Sequence, residues 1–276
     1  MLRKLRGRWR RLMLGLPTVL GLRPRGWFIP HRYAPLLPPP GSQPPYPAIS
    51  SLFEKHDADF RALLDLVDGH AKALESMNGL LEQAWFPSLD AAVAYTLVRE
   101  RKPRSIIEVG SGHSTRLLAR ALAGVGEILA IDPAPRADIA GLPGVRVVPS
   151  TLQAAPADLF DRLSGGDLLF IDSSHILMPG SDVDVLLNRV LPRLPSGALI
   201  HIHDIFLPFD YPRFWAWRNY NEQQGVLPLL ATGAYAPLFS SVWAERQLGE
   251  RLKQSVVARL PAVPDSLATS LWLEKR

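Results

Sequence analysis

The stretch Ser105-Ile106-Ile107-Glu108-Val109-Gly110-Ser111-Gly112-His113-Ser114-Thr115 decides how this chain of 276 residues is read. It begins as a short apolar run with β-branched isoleucines, the composition of a strand buried on both faces. Two glycines one residue apart follow. The chain then enters Thr115–Leu122, where Leu118 and Leu122 fall at helical spacing, with Leu117 and Ala121 beside them. Strand, glycine turn and helix form the first half of a nucleotide-binding βαβ unit. Glycines let a ligand approach the backbone, and the new helix offers unpaired N–H groups at its start.

The next strand, Glu127-Ile128-Leu129-Ala130-Ile131, ends at Asp132. An acid about 20 residues past the glycines is the expected partner of ribose hydroxyls. Thr115 stands where a third glycine of G-x-G-x-x-G would be. Glu108, before the turn, would repel a pyrophosphate and attract an ammonium group. This favours S-adenosylmethionine (SAM) over a dinucleotide.

Working outward, the βα alternation continues. Val145–Val148, Asp167–Asp172 and Gly197–Asp204 read as strands, Ala157–Leu163 and Val183–Leu194 as helices, with Asp182 as the N-cap of the second. Upstream, residues 51–76 and 87–100 carry helical apolar spacing. Downstream, Ala236–Val242 and Ser270–Glu274 read as a late strand pair. The predicted fold is α/β: a Rossmann-like doubly wound sheet, mostly parallel with an antiparallel edge strand, preceded by N-terminal helices.

Apolar and charged fractions of 47% and 21% fit a globular chain, and no cysteine is present to form disulfides or thiolate metal sites. The net charge of +5 is unevenly spread: residues 1–25 hold eight basic residues and no acid, leaving the rest at −3. A nucleic-acid-binding face on the folded body is therefore not expected. Residues 1–25 read as a basic, poorly ordered tail, the alternative being an anchor on a membrane surface. Residues 26–50 form a Pro-rich segment, and residues 51–276 the main domain. A cytoplasmic location, membrane-peripheral if the tail anchors, is expected; the oligomeric state is left open.

The strand ends carry Glu108, Asp132, Ser150, Asp172, and His203 with Asp204, where open α/β sheets bind ligands. Asp172, His203 and Asp204 could hold a divalent cation such as Mg2+, with His175 nearby; a hydrogen-bonded cluster without metal is the preferred alternative.

Together with Phe170-Ile171-Asp172-Ser173-Ser174-His175 and His201-Ile202-His203-Asp204-Ile205-Phe206-Leu207-Pro208, these motifs resemble the class I SAM-dependent methyltransferases. The likeness is nearest to a bacterial group sharing the FIDSSH and HxHDIFxPxxYP stretches, and it runs from about Trp27 to the C-terminus. It implies that Glu108, Gly110 and Gly112, with Ser111 and Ser114 in the same turn, hold the methionine part of SAM. It further implies that Asp132 binds the ribose and that Ser150 borders the adenine, with Asp172 closing the site. A weaker likeness to metal-dependent catechol and caffeoyl-CoA O-methyltransferases places Asp172, His175, His203 and Asp204 at their acid, basic and metal positions. The expected function is methyl transfer to a small molecule at oxygen, with His175 as the base and Asp172 beside it. The alternatives are a SAM- or nucleotide-binding protein without turnover, and an NAD-linked enzyme.

Overall fold

The computed structural model describes residues 2–276. Its centre is one sheet of seven strands: β1 (Ser105–Val109), β2 (Glu127–Ile131), β3 (Val145–Val148), β4 (Leu168–Ile171), β5 (Leu199–Ile202), β6 (Tyr235–Ser240) and β7 (Leu271–Lys275). The spatial order is β3-β2-β1-β4-β5-β7-β6. The pairs β1–β2, β1–β4, β2–β3 and β4–β5 are parallel. β7 runs antiparallel to both β5 and β6. The expected antiparallel edge is thus the β7–β6 pair, with β7 inside it and β6 outermost. The chain direction changes sides between β1 and β4, so the carboxyl ends of β1, β2 and β4 open a crevice there.

The strands are short because their apolar runs are short, and β1, β2 and β4 are buried along nearly their whole lengths. Both faces are covered, as runs without polar alternation require. Helices α1 (Leu2–Val19), α2 (Pro47–Lys55), α3 (Asp57–Gly69), α4 (Ala71–Glu75), α5 (Asn78–Leu81) and α6 (Ser88–Arg101) precede the sheet. The single helix expected over residues 51–76 is broken into α2, α3 and α4. The breaks fall at His56 and His70, which leave helical geometry. Helix α6 is buried from Ser88 to Val98, so its apolar residues go all round rather than on one stripe.

Helix α7 (His113–Leu122) follows β1, as the sequence predicts. Residues 157–162 form a 3-10 turn rather than an α-helix. The helix expected from Val183 is α8 (Asp182–Val185), passing into a π-turn at Leu186–Val190 and a 3-10 turn at Leu191–Arg193. Its cap is Ser181, whose hydroxyl accepts from the Asp184 N–H, and not Asp182, which is already helical. The chain closes with α9 (Glu222–Ala231), α10 (Ser241–Gln247) and α11 (Gly249–Gln254) around β6 and β7.

The chain divides into two compact units. One comprises residues 45–208 and 221–276 and holds the sheet; the other comprises residues 1–44 and 209–220. Where the sequence reading expects a poorly ordered tail, α1 is helical through Gly15 and Pro17. In the smaller unit, the Arg11 Nε donates to the Trp217 carbonyl at 3.3 Å, and the Arg10 guanidinium lies 5.9 Å from the Trp217 ring centre.

Candidate active site

At the carboxyl ends of β1, β2 and β4 lies a cleft of about 300 Å3. Its lining includes Gly110, Ser111, Asp132, Ser150, Asp172 and Ser173. Five of these were expected from the sequence. Ser173, Arg136 and Asp182, which also line it, were not.

Gly110 has φ +81°, and a Cβ there would stand 1.9 Å from the Asp172 carbonyl oxygen. Only glycine lets the end of β1 pass so close to the end of β4. The turn is held by Asp132: its Oδ2 accepts from the Ser111 N–H at 2.7 Å and from the Ser111 hydroxyl at 3.1 Å, and its Oδ1 from the Ala134 N–H at 2.7 Å. Asp132 thus reaches across from β2 and brings its carboxylate to the rim of the cleft.

Glu108 is placed differently from the expectation that it meets a ligand's ammonium group. Its side chain is fully buried beneath the turn and is not part of the cleft lining. The Ser114 hydroxyl donates to its Oε1 at 2.5 Å and the Thr115 hydroxyl to its Oε2 at 2.6 Å. Thr115 in turn accepts from the Gly112 N–H at 2.9 Å. Burial outweighs the two hydroxyl donors and pushes the Glu108 carboxyl up to about 8, with the Asp172 and Asp132 charges adding to the rise. Glu108 is therefore mostly protonated at neutral pH and ties the start of α7 to β1. Ser114 and Gly112 belong to this support rather than to the cleft wall.

The acids and histidines at the ends of β4 and β5 do converge. His175 is buried, with φ +60°. Its Nδ1 lies 2.9 Å from Glu222 Oε2 on α9, and its Nε2 lies 3.3 Å from Asp172 Oδ1 and 3.4 Å from Asp204 Oδ2. His203 sits beside it: its Nδ1 is 3.5 Å from Asp172 and 3.6 Å from Asp204, and its Nε2 is 3.4 Å from Asp90 on α6. Burial by itself lowers both imidazoles. The surrounding carboxylates, Asp204 foremost, outweigh it and hold both well above the ordinary histidine range. Burial likewise raises Asp172, but His203 and His175 outweigh it and keep this carboxyl well below its usual range. The cluster is a web of two imidazoles and four acids, Asp90, Asp172, Asp204 and Glu222.

Two expected roles fall on residues of this web. His175, the expected base, has both ring nitrogens against carboxylates: Glu222 at Nδ1, and Asp172 and Asp204 at Nε2. Asp172, His203 and Asp204, the expected Mg2+ ligands, lie against one another, with the His203 Nδ1 turned to both carboxylates. Among the described residues no group of three His, Cys, Asp or Glu side chains is arranged to hold a metal ion. His201, on the same face of β5, is simply packed. It stacks on Phe170 with ring centres 3.8 Å apart, and its Nε2 lies 2.8 Å from the Ser270 hydroxyl. Burial, with His203 adding to it, holds its imidazole well below the usual range and therefore neutral.

Asp90 and Glu222 were missed by sequence reasoning. Asp90 accepts from the Ser241 hydroxyl at 2.5 Å and from the Thr269 and Ser270 N–H groups at 2.9 and 3.1 Å. A lone acid inside the apolar run of α6 was the available signal for it. Glu222 carries no such signal, since it opens a helix where an acid is commonplace.

Residues 107–205 match a family described as a methyltransferase domain. That match places a methyltransferase domain over 99 of the 276 residues, from within β1 to just past β5. Similar solved structures include the SAH-bound methyltransferase PaMTH1 of Podospora anserina, 14% identical, covering 86% of this chain and 99% of that one, with a TM-score of 0.42. The O-methyltransferase from Bacillus cereus in complex with SAH is 18% identical, covering 62% and 82%, with a TM-score of 0.39. The plantazolicin methyltransferase BpumL in complex with SAH is 14% identical, covering 83% and 99%, with a TM-score of 0.41. Likeness at this level carries no weight beside the matched domain. No curated protein matches the chain.

Proposed function

We propose that the cleft binds SAM and that the enzyme methylates a small-molecule acceptor at oxygen. One observation carries this reading: the glycine turn, the Asp132 carboxylate and the ionised Asp172 meet in one cleft at the strand ends. Its volume is at the lower end of the range for small-ligand sites. Ser173, in its wall, has a buried hydroxyl with no hydrogen-bond partner among the described residues, a group that a bound ligand would satisfy.

In this reading Asp132 accepts from the ribose hydroxyls, and the backbone of Gly110 and Ser111 borders the methionine portion. Ser150 lies by the adenine. Asp172 supplies the negative charge that suits a sulfonium and an ammonium group, a part the sequence assigned to Glu108. When bound, SAM supplies a methyl group already activated on sulfur. The chain's residues would align the acceptor hydroxyl against Asp172, which accepts its hydrogen bond and passes its proton to solvent as the oxygen takes the methyl group, while His175 and His203 hold Asp172 in place.

Isothermal titration of the full chain with SAM and with NAD tests the cofactor. Micromolar SAM binding with none for NAD is expected; the reverse overturns the reading. Transfer of labelled methyl from SAM to a library of hydroxyl-bearing metabolites tests the reaction. Tight SAM binding without transfer to any acceptor would favour a binding protein without turnover.

A further inference from the structure

Apolar exposure in this molecule is concentrated in the smaller unit. Among the described residues, all but three of the exposed large apolar side chains lie in residues 1–44 and 209–220; the exceptions are Leu66, Trp85 and Val125. On α1, Trp9 is 64% exposed, and Leu12 and Leu16 are each 53% exposed. At helical spacing, Trp9, Leu12, Met13, Leu16 and Val19 share one stripe roughly 120° wide. Arg10 and Arg11 fall outside it. Beyond the helix, Leu20, Leu22, Trp27, Phe28 and Ile29 are exposed as well.

Charge is concentrated in the same unit. It holds 11 Lys and Arg residues against one acid, Asp210, a net +10 that leaves the remainder of the chain at −5. A helix with an apolar stripe, flanking arginines and a tryptophan fits the boundary between lipid head groups and acyl chains. No helix of the described residues is long and apolar enough to cross a membrane, so the contact would lie on the surface rather than span it.

We propose that residues 1–44 and 209–220, led by α1, form a docking surface for an anionic lipid membrane. A nucleic acid would use the arginines and the aromatic rings but has no use for the exposed Leu12, Leu16, Val19, Leu20, Leu22 and Ile29. A lipid interface uses both: the aliphatic stripe enters the acyl boundary, and the arginines meet the anionic head groups.

The test is flotation of the full chain with vesicles of phosphatidylcholine containing about 30 mol% phosphatidylserine, set against pure phosphatidylcholine. Binding to the first and not the second is expected, weakening as salt rises. Leu12→Asp with Leu16→Asp should lower the partition coefficient at least about tenfold. Arg10→Glu with Arg23→Glu and Arg25→Glu should lower it at least about 100-fold, near fivefold for each charge removed. Both variants should keep the wild-type far-UV circular dichroism and melting temperature, since every altered side chain is exposed. Absence of binding to the anionic vesicles overturns the proposal. So does binding that ignores the leucine substitutions, or retention on single-stranded RNA in preference to vesicles.

Discussion

Replacing Glu108 by Gln isolates the buried acid beneath the glycine turn. The folded carboxyl is raised from 4.5 to about 8, and an unfolded chain returns it to the lower value. Between these values the folded state holds one proton that the unfolded state has lost. Stability contributed by Glu108 is therefore complete below about pH 4.5 and declines as pH rises towards 8. At about 1.36 kcal/mol per unit, the full decline is on the order of 5 kcal/mol, of which some 3–4 kcal/mol falls between pH 5 and 8. Gln has nearly the same shape and can still accept from one hydroxyl, but it does not titrate. Urea unfolding of both proteins, followed by far-UV circular dichroism at pH 5, 6, 7 and 8, reads the difference. The variant should gain on the wild type by about 3–4 kcal/mol across that range, and other titrating groups cancel in the subtraction. Its SAM affinity at pH 7 should stay within about threefold, because a protonated Glu108 offers no charge to a ligand. Two parallel stability curves, together with a loss of SAM affinity above about tenfold, would show an ionised carboxylate in contact with the ligand and refute the reasoning.

Asp132→Ala should cost about 2–3 kcal/mol of SAM affinity by calorimetry, the range for charge-assisted hydrogen bonds, and an unchanged affinity in a folded variant would remove Asp132 from the site. Gly110→Ala puts a Cβ 1.9 Å from the Asp172 carbonyl oxygen at φ +81°, so unfolding free energy should fall by about 3 kcal/mol or more, with SAM binding lost. His175→Ala strips the cation from among Asp172, Asp204 and Glu222, and should cost about 3–5 kcal/mol in urea unfolding. A stable His175→Ala protein that loses only kcat would assign His175 as the base.

The strand, the glycine turn and α7 are legible in residues 105–122 because each depends on neighbours in sequence: buried strands need apolar runs, and tight turns need residues without Cβ. The late strand pair and its reversal are legible for the same reason. The breaks at His56 and His70, which divide α2, α3 and α4, are not, since the helical periodicity of residues 51–76 runs through them unchanged. The positions of Asp132, Ser150 and Asp172 at the cleft also follow from sequence, since a parallel sheet brings all its carboxyl ends to one side. What these residues do chemically was decided elsewhere. Glu108 and Asp172 are both carboxylates ending apolar strands, yet one is neutral and the other ionised. Burial raises both: at Glu108 it outweighs the Ser114 and Thr115 hydroxyls, whereas at Asp172 the His203 and His175 imidazoles outweigh it. His175 meets Asp204 and Glu222 from distant parts of the chain, and His203 meets Asp90 from α6. Ionisation depends on the charges and desolvation within a few ångströms, and only the packed chain brings those groups together.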